Sequence, residues 1–228
     1  MSAPREKTFL LARPEARVLD WIARRLPAGV MPDHLTALGV VAAIGIAAAY
    51  ALSNRDPVWL WAASGLLVVH WLGDSLDGTL ARVRRSERPR YGYYLDHLVD
   101  AVATVLIGLG LGLSPYMLLA TGLVIVVAYL VLSINTYLET NALGVFSLGY
   151  GRLGPTEARL GLIALNTVLA LGLAPQVTIA GLGVTVLDAA GLAIAGLMLV
   201  AVGVRASRNL RELARREPAQ RPAPQTAP

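Results

Sequence analysis

Four aspartates, Asp74, Asp77, Asp96 and Asp100, stand inside two otherwise apolar stretches of the chain. The first stretch ends in Asp74-Ser75-Leu76-Asp77-Gly78-Thr79-Leu80-Ala81-Arg82, and the second opens Gly92-Tyr93-Tyr94-Leu95-Asp96-His97-Leu98-Val99-Asp100. At about 100° per helical residue, Asp74, Asp77, Gly78 and Ala81 share one face, and Gly92, Asp96 and Asp100 share a face of the next helix. Helices joined by a short loop are antiparallel neighbours, so both stripes converge on one pocket. Each carboxylate in a membrane helix costs about 2.5 to 3.5 kcal/mol. Two that ionise about 4 Å apart repel by roughly 4 kcal/mol at an effective dielectric near 20. A net stability of about 5 to 15 kcal/mol does not absorb that uncompensated. Arg82 brings one positive charge against four negative, and two divalent cations would turn the remaining deficit of three into a net positive site suited to a diphosphate. The sequence has no cysteine, so metal ligands are oxygen or histidine, and oxygen ligands beside phosphate favour Mg²⁺ or Mn²⁺. A pair of such ions about 3.5 to 4 Å apart clamps the attacking and leaving oxygens of an in-line displacement.

The elements that must position these acids are membrane helices. The 228 residues are 55% hydrophobic, with a mean hydropathy of +0.57, far from soluble composition. Apolar stretches long enough to cross about 30 Å of hydrocarbon lie at 34–52, 58–82, 93–113, 115–138, 155–172 and 187–207. The expected fold is therefore all-α, a polytopic membrane protein with six transmembrane helices. Turn chemistry separates the spans: Ser53 to Pro57, Ser114-Pro115, Gly149 to Pro155 and Ala174-Pro175. Asp188 is expected to cap the sixth span from outside the bilayer centre.

Basic residues set the expected orientation. Arg5, Lys7, Arg13, Arg17, Arg24 and Arg25 precede the first span; Arg84, Arg85, Arg88 and Arg90 follow the second, and Arg152 follows the fourth. Arg205, Arg208, Arg211, Arg215 and Arg216 follow the sixth, whereas the opposite loops hold only Arg55. This asymmetry places both termini and the acidic loops in the cytoplasm, and it accounts for the net charge of +5 without a nucleic-acid partner. The acids are then near the cytoplasmic surface, since Asp74 is about 15 Å of helical rise from Arg84.

Three divisions are expected: a cytoplasmic arm (1–33), a six-helix catalytic domain (34–207), and a basic then disordered tail (208–228). No signal peptide is expected, because residues 1–33 are studded with charges. Within the arm, Val18, Leu19, Ile22 and Leu26 fall on one helical face opposite Arg17, Asp20, Arg24 and Arg25. That pattern reads as an interfacial amphipathic helix with Trp21 near the headgroups, weighed against a charged arm packed on the spans.

The pattern D-x-x-D-G-x-x-A-R, a short gap, then G-x-x-x-D-x-x-x-D is filled at every fixed position from Asp74 to Asp100. It resembles the signature of the CDP-alcohol phosphotransferases. The resemblance implies that Asp74, Asp77, Asp96 and Asp100 bind two metals, that Asp100 is also the general base for an acceptor hydroxyl, and that Gly78, Ala81 and Arg82 border the CDP moiety. Spacing alone does not assign the base. Pro32-Asp33-His34-Leu35-Thr36 is similar to the family's P-N-x-x-T, with Asp33 in place of the usual Asn. The added negative charge disfavours contact between Asp33 and a phosphate, and Thr36 is a donor contact or a simple helix cap.

The stretch Gly151 to Arg159 opens the fifth span. It is an ordinary helix start or an acceptor site, in which Arg152, Thr156 and Arg159 bind an anion and Glu157 a cationic amine. His70 and His97 are read as hydrogen-bonded interior histidines rather than ligands. Gly108 and Gly112 form a G-x-x-x-G that marks a helix-pair or dimer face, and the resemblance makes a homodimer the expected assembly.

The expected reaction moves a substituted phosphoryl group from a CDP-linked donor to an alcohol or lipid acceptor, releasing CMP, within phospholipid synthesis and in contact with membrane lipids. CDP-diacylglycerol is the favoured donor, with CDP-ethanolamine or CDP-choline and diacylglycerol as the alternative. The expected location is a bacterial inner membrane. An ion-coupled transporter would instead carry its acids near the midplane and show related halves. This chain groups them near one surface.

Overall fold

The computed structural model describes residues 11–144, 154–173 and 184–218. Within them the chain forms seven helices: α1 (Ala12–Ala23), α2 (Pro32–Leu52), α3 (Trp59–Val83), α4 (Pro89–Gly112), α5 (Leu119–Leu143), α6 (Pro155–Ala170) and α7 (Val186–Arg216). Prolines open α2, α4 and α6 at the first helical position, where the missing N–H costs nothing and φ is already helical. Pro115, expected to begin a span, lies in the turn before α5 instead. At its other end α5 runs past the expected boundary until Gly144, whose φ of 70° supplies a left-handed cap.

Four helices, α2, α4, α5 and α7, are long and apolar enough to cross a membrane. The other two expected spans fall short for visible reasons. Helix α3 has the length, but His70, Asp74, Asp77 and Arg82 dilute it, and α6 has only 16 residues. The outward faces are apolar: Val41, Val127, Leu138, Leu197 and Val200 are each more than half exposed, a pattern suited to lipid rather than water.

Two cores hold the bundle. At the end remote from the acids, Ile46, Ala49, Tyr50, Leu60, Ala63, Leu67, Leu111, Met117 and Leu169 pack together. At the acidic end a smaller core of Leu19, Ala23, Leu35, Leu76 and Leu80 seats α1 on α2 and α3. Of the apolar face expected for α1, Leu19 is buried and Ile22 and Leu26 pack against this core, whereas Val18 is about half exposed, as is Trp21.

Close backbone approaches fix the helix pairs. A Cβ added at Gly73 would lie 2.6 Å from Gly39 N and 2.7 Å from Leu35 O, so α2 and α3 touch backbone to backbone one residue before Asp74. The Gly108/Gly112 stripe faces α5: Cβ atoms there would meet Val126 Cγ2 at 2.2 Å and Leu119 Cα at 3.0 Å. Of the two roles the stripe could have, the structure selects the helix pair within the chain.

Asp188 is not the cap of α7. Thr185 holds that position and accepts the Asp188 N–H at 3.1 Å, while the Asp188 carboxylate accepts the Thr185 N–H at 2.9 Å. The other carboxylate oxygen accepts the Leu118 N–H at 2.8 Å, so one buried acid closes the starts of both α5 and α7. The break expected at Ala174-Pro175 and the last ten residues of the tail lie outside the described residues.

Candidate active site at the acidic end of the bundle

The four aspartates come together as the helical periodicity requires. Asp74 and Asp96 are each near enough to both Asp77 and Asp100 to act on them electrostatically, and Asp74 and Asp100 are side-chain neighbours. Two carboxyl groups in contact need a shared proton or a bridging cation between them. On α4, Asp96, His97 and Asp100 present ligand atoms that all lie within 4.8 Å of one another. Ligands around one divalent ion at about 2.0 to 2.6 Å have separations of this size, so the donor set fits a cation.

His97, read from the sequence as an interior histidine rather than a ligand, lies among these acids. Its Nδ1 is 3.7 Å from Asp96 Oδ2, with the imidazole side chain only 10% exposed. Tyr137 stacks on the ring at 4.5 Å between centroids, and Tyr93 meets it edge-on at 4.2 Å. The sequence hint was its place between two motif acids, but the aromatic clamp comes partly from α5 and has no local signature. His70, one turn before Asp74, is 3% exposed and its Nδ1 has no hydrogen-bond partner among the described residues. The interior position matches expectation.

The positive charge beside the acids comes from a different residue than the sequence suggests. Arg159 of α6 meets Asp74 at 2.5 Å, with side chains 13% and 18% exposed. Arg82 lies two turns beyond Asp74, about 12 Å along the helix, and its guanidinium turns to Thr79 Oγ1 at 2.9 Å. It is exposed, and the space over Gly78 is bounded only by Arg82 itself, 3.5 Å from where a Cβ would stand. Gly78, Ala81 and Arg82 thus form an open shelf beside the acids.

Thr36 reaches this cluster from α2. Its hydroxyl donates to Asp77 Oδ2 at 2.6 Å, and the Gly78 N–H donates to the other Asp77 oxygen at 2.5 Å. Thr36 lies inside α2 rather than at its cap, so it orients a motif carboxylate. Asp33 pairs with Arg88, and Arg88 also covers the Tyr91 ring at 4.0 Å. The added negative charge at position 33 therefore has its own counter-charge from the α3–α4 loop, and that carboxylate holds the Arg88 guanidinium above its ordinary pKa.

Of the residues expected at an acceptor site, Arg152 lies outside the described residues. Thr156 donates to Glu15 Oε1 at 2.9 Å, and Glu157 accepts the N–H groups of Gly154 at 2.9 Å and Leu11 at 3.0 Å. Both are engaged with α1 or their own helix start. Arg159 alone of the set joins the acids.

Comparison with known proteins follows the same residues. The sequence model of the CDP-alcohol phosphatidyltransferase family matches residues 29–203. The chain is 32% identical over 122 residues to a CDP-diacylglycerol–serine O-phosphatidyltransferase of Encephalitozoon cuniculi, covering 49% of this chain and 32% of that protein. It is 27% identical over 164 residues to cholinephosphotransferase 1 of Danio rerio, covering 66% of this chain and 41% of that protein. The chain thus spans about a third to two fifths of the length of these curated relatives. Both are eukaryotic, so the expectation of a bacterial inner membrane gains nothing from them. With the family's motif residues gathered at one end of an apolar helical bundle and the match running through α2 to α7, the chain belongs to the CDP-alcohol phosphatidyltransferase family.

Proposed function

We propose that this protein is a membrane phosphotransferase that moves a substituted phosphoryl group from a CDP-linked donor to an alcohol hydroxyl, releasing CMP in phospholipid synthesis. The observation that carries the reading is the meeting of α3 and α4 acids, with Asp74 and Asp100 in contact and Arg159 the guanidinium paired with them. Mutual repulsion makes such a cluster costly unless cations neutralise it.

Asp74, Asp77, Asp96 and Asp100 would hold two divalent cations, Mg²⁺ or Mn²⁺, with His97 close enough to add a nitrogen ligand. When bound, these ions supply charge neutralisation at the phosphates and at the leaving oxygen. The protein does the rest. Thr36 fixes the Asp77 carboxylate; Gly78, Ala81 and Arg82 give the nucleotide a surface without bulky side chains; Asp100 accepts the proton of the acceptor hydroxyl as its oxygen attacks phosphorus. Arg159 holds Asp74 and faces the same anionic centre.

In this reading α3 and α6 also cross the bilayer, giving six spans over 34–207, with the arm and the tail on the Arg-rich cytoplasmic side. Helix α1 rests in the headgroup layer with Trp21 outward, and a second copy completes a homodimer. The two relatives represent the two substrate arrangements. CDP-diacylglycerol with a small polar alcohol is favoured here; a CDP-amino-alcohol donor with diacylglycerol is the other. Purified protein incubated with labelled CDP-diacylglycerol or CDP-ethanolamine and a panel of acceptors, with the lipid product identified by mass spectrometry, decides between them. Metal-dependent CMP release is the expected result. Solute flux in vesicles without CMP formation would instead favour the transporter.

A further inference from the structure

The strongest unassigned feature is Glu15, a half-buried carboxylate on α1 that the family motif does not include. Its Oε1 accepts from three side chains on two other helices: Trp71 Nε1 at 2.8 Å, Ser75 Oγ at 3.4 Å and Thr156 Oγ1 at 2.9 Å. Their places matter. Ser75 adjoins Asp74, Trp71 precedes Asp74 by one turn, and Thr156 precedes Arg159 by one turn on α6. A single oxygen therefore ties together the two helical turns that carry the two partners of the Asp74–Arg159 pair.

A second tether runs in the opposite direction. Glu157, next to Thr156, accepts the N–H of Leu11 just before α1 and the N–H of Gly154 at the start of α6. The first turn of α1 and the first turn of α6 thus exchange carboxylates. Helix α1 shares its apolar face with α3 through Leu19, Ala23, Leu76 and Leu80, so α6 is held to the α1–α3 unit by polar contacts at the height of the acids. Hydrogen bonds to charged acceptors are the stronger kind, and their direction here fixes the axial position of α6.

We infer that Glu15 is a positioning residue of the proposed reaction, setting the first turn of α6 against α3 so that Arg159 meets Asp74. This rests on the functional reading above. It reaches the Asp74–Arg159 pair from both sides, through Trp71 and Ser75 on α3 and through Thr156 on α6, so its loss and the loss of Arg159 are not independent.

Two measurements on the full chain test it. The first follows CMP release in Glu15→Ala, Arg159→Ala and the double variant. Outer-layer partners of metal-site groups are worth about 10- to 100-fold in activity, and Glu15→Ala is expected to lose that much in kcat, with the donor KM moving far less. The double variant should lose clearly less than the product of the two single losses, whereas a merely structural role predicts losses that multiply. Glu15→Gln, whose amide oxygen still accepts from Thr156 and Trp71, should retain most activity and guards against misfolding of the alanine variant.

The second measurement needs no turnover. The sequence has no cysteine, so spin labels at Arg13→Cys and Leu160→Cys, both exposed, report the α1–α6 distance when the labelled chain is diluted with unlabelled protein. A narrow distribution that broadens with Glu15→Ala supports the tether; one unchanged by the substitution overturns it. Multiplicative losses, or wild-type kcat in Glu15→Ala, overturn the positioning role while leaving the functional reading in place. A wild-type protein that releases no CMP from either donor would remove that reading, and this inference with it.

Discussion

Both ends of this bundle bury polar side chains among apolar helices, yet they solve the problem differently. At the end remote from the acids the account closes: Tyr50 OH donates to Asn166 Oδ1 at 3.0 Å, and Asn166 Nδ2 donates to Ser64 Oγ at 3.2 Å. Asp188, fully buried, accepts backbone N–H groups from both Leu118 and Thr185. Neutral donors meet acceptors, which is how buried polar groups are ordinarily made tolerable. At the other end four carboxylates gather about one paired guanidinium, and two of them touch. The first arrangement is complete as protein. On the proposed reading the second becomes complete only with charge supplied from outside, and that difference separates a structural polar network from a site.

The comparison is sharpest if each end is damaged separately. Removing divalent cations with a chelator should abolish CMP release, with recovery on adding Mg²⁺ or Mn²⁺, and should leave the far-end network untouched. Full turnover in excess chelator would break the comparison. Asp100→Asn comes next. Loss of a general base costs about 10²- to 10⁴-fold, and removing one like charge from the cluster should leave the thermal midpoint in detergent equal to or above wild type. A variant with wild-type turnover rejects the base assignment. The far end should show the reverse. Asn166→Ala strands the Tyr50 hydroxyl in the core, at a cost of about 1 to 3 kcal/mol, read as a lower unfolding midpoint with kcat of the folded fraction unchanged. The smallest effect belongs to Asp33→Asn. It breaks a surface pair with Arg88 whose side chains are 41% and 51% exposed, and exposed pairs contribute little. Donor KM and unfolding midpoint should stay at wild-type values, and a large rise in KM would place Asp33 in the site.

How much of this was legible beforehand follows from sequence distance. The convergence of Asp74, Asp77, Asp96 and Asp100 is local: helical periodicity and one short loop suffice. The start of α6 at Pro155 is local as well, whereas α2 and α4 open at Pro32 and Pro89, two and four residues before the expected bounds. Thr36 was legible as a residue but not as a partner, since its bond to Asp77 spans 41 positions. Arg159 was legible as a basic residue near a helix start, but its pairing with Asp74 spans 85 positions and depends on how α6 leans on α3. Glu15 gave no sign at all, because a single acid in the first turn of an amphipathic helix is ordinary and its role exists only once α3 and α6 arrive. The cap of α7 was misplaced by three residues for a related reason. Thr185 and Asp188 both suit a helix start, and their reciprocal bonding decides which one ends up inside.

The missing side chain at position 73 has a mechanical consequence. Because nothing separates the α2 and α3 backbones there, neither helix has freedom to slide or roll beside Asp74, and the Thr36–Asp77 bond is carried by one inflexible jaw. Helix α4 brings Asp96 and Asp100 to this jaw from the other side. Even a single methyl group at Gly73 would therefore force α2 away from α3 beside the acids and reset the geometry of the whole cluster.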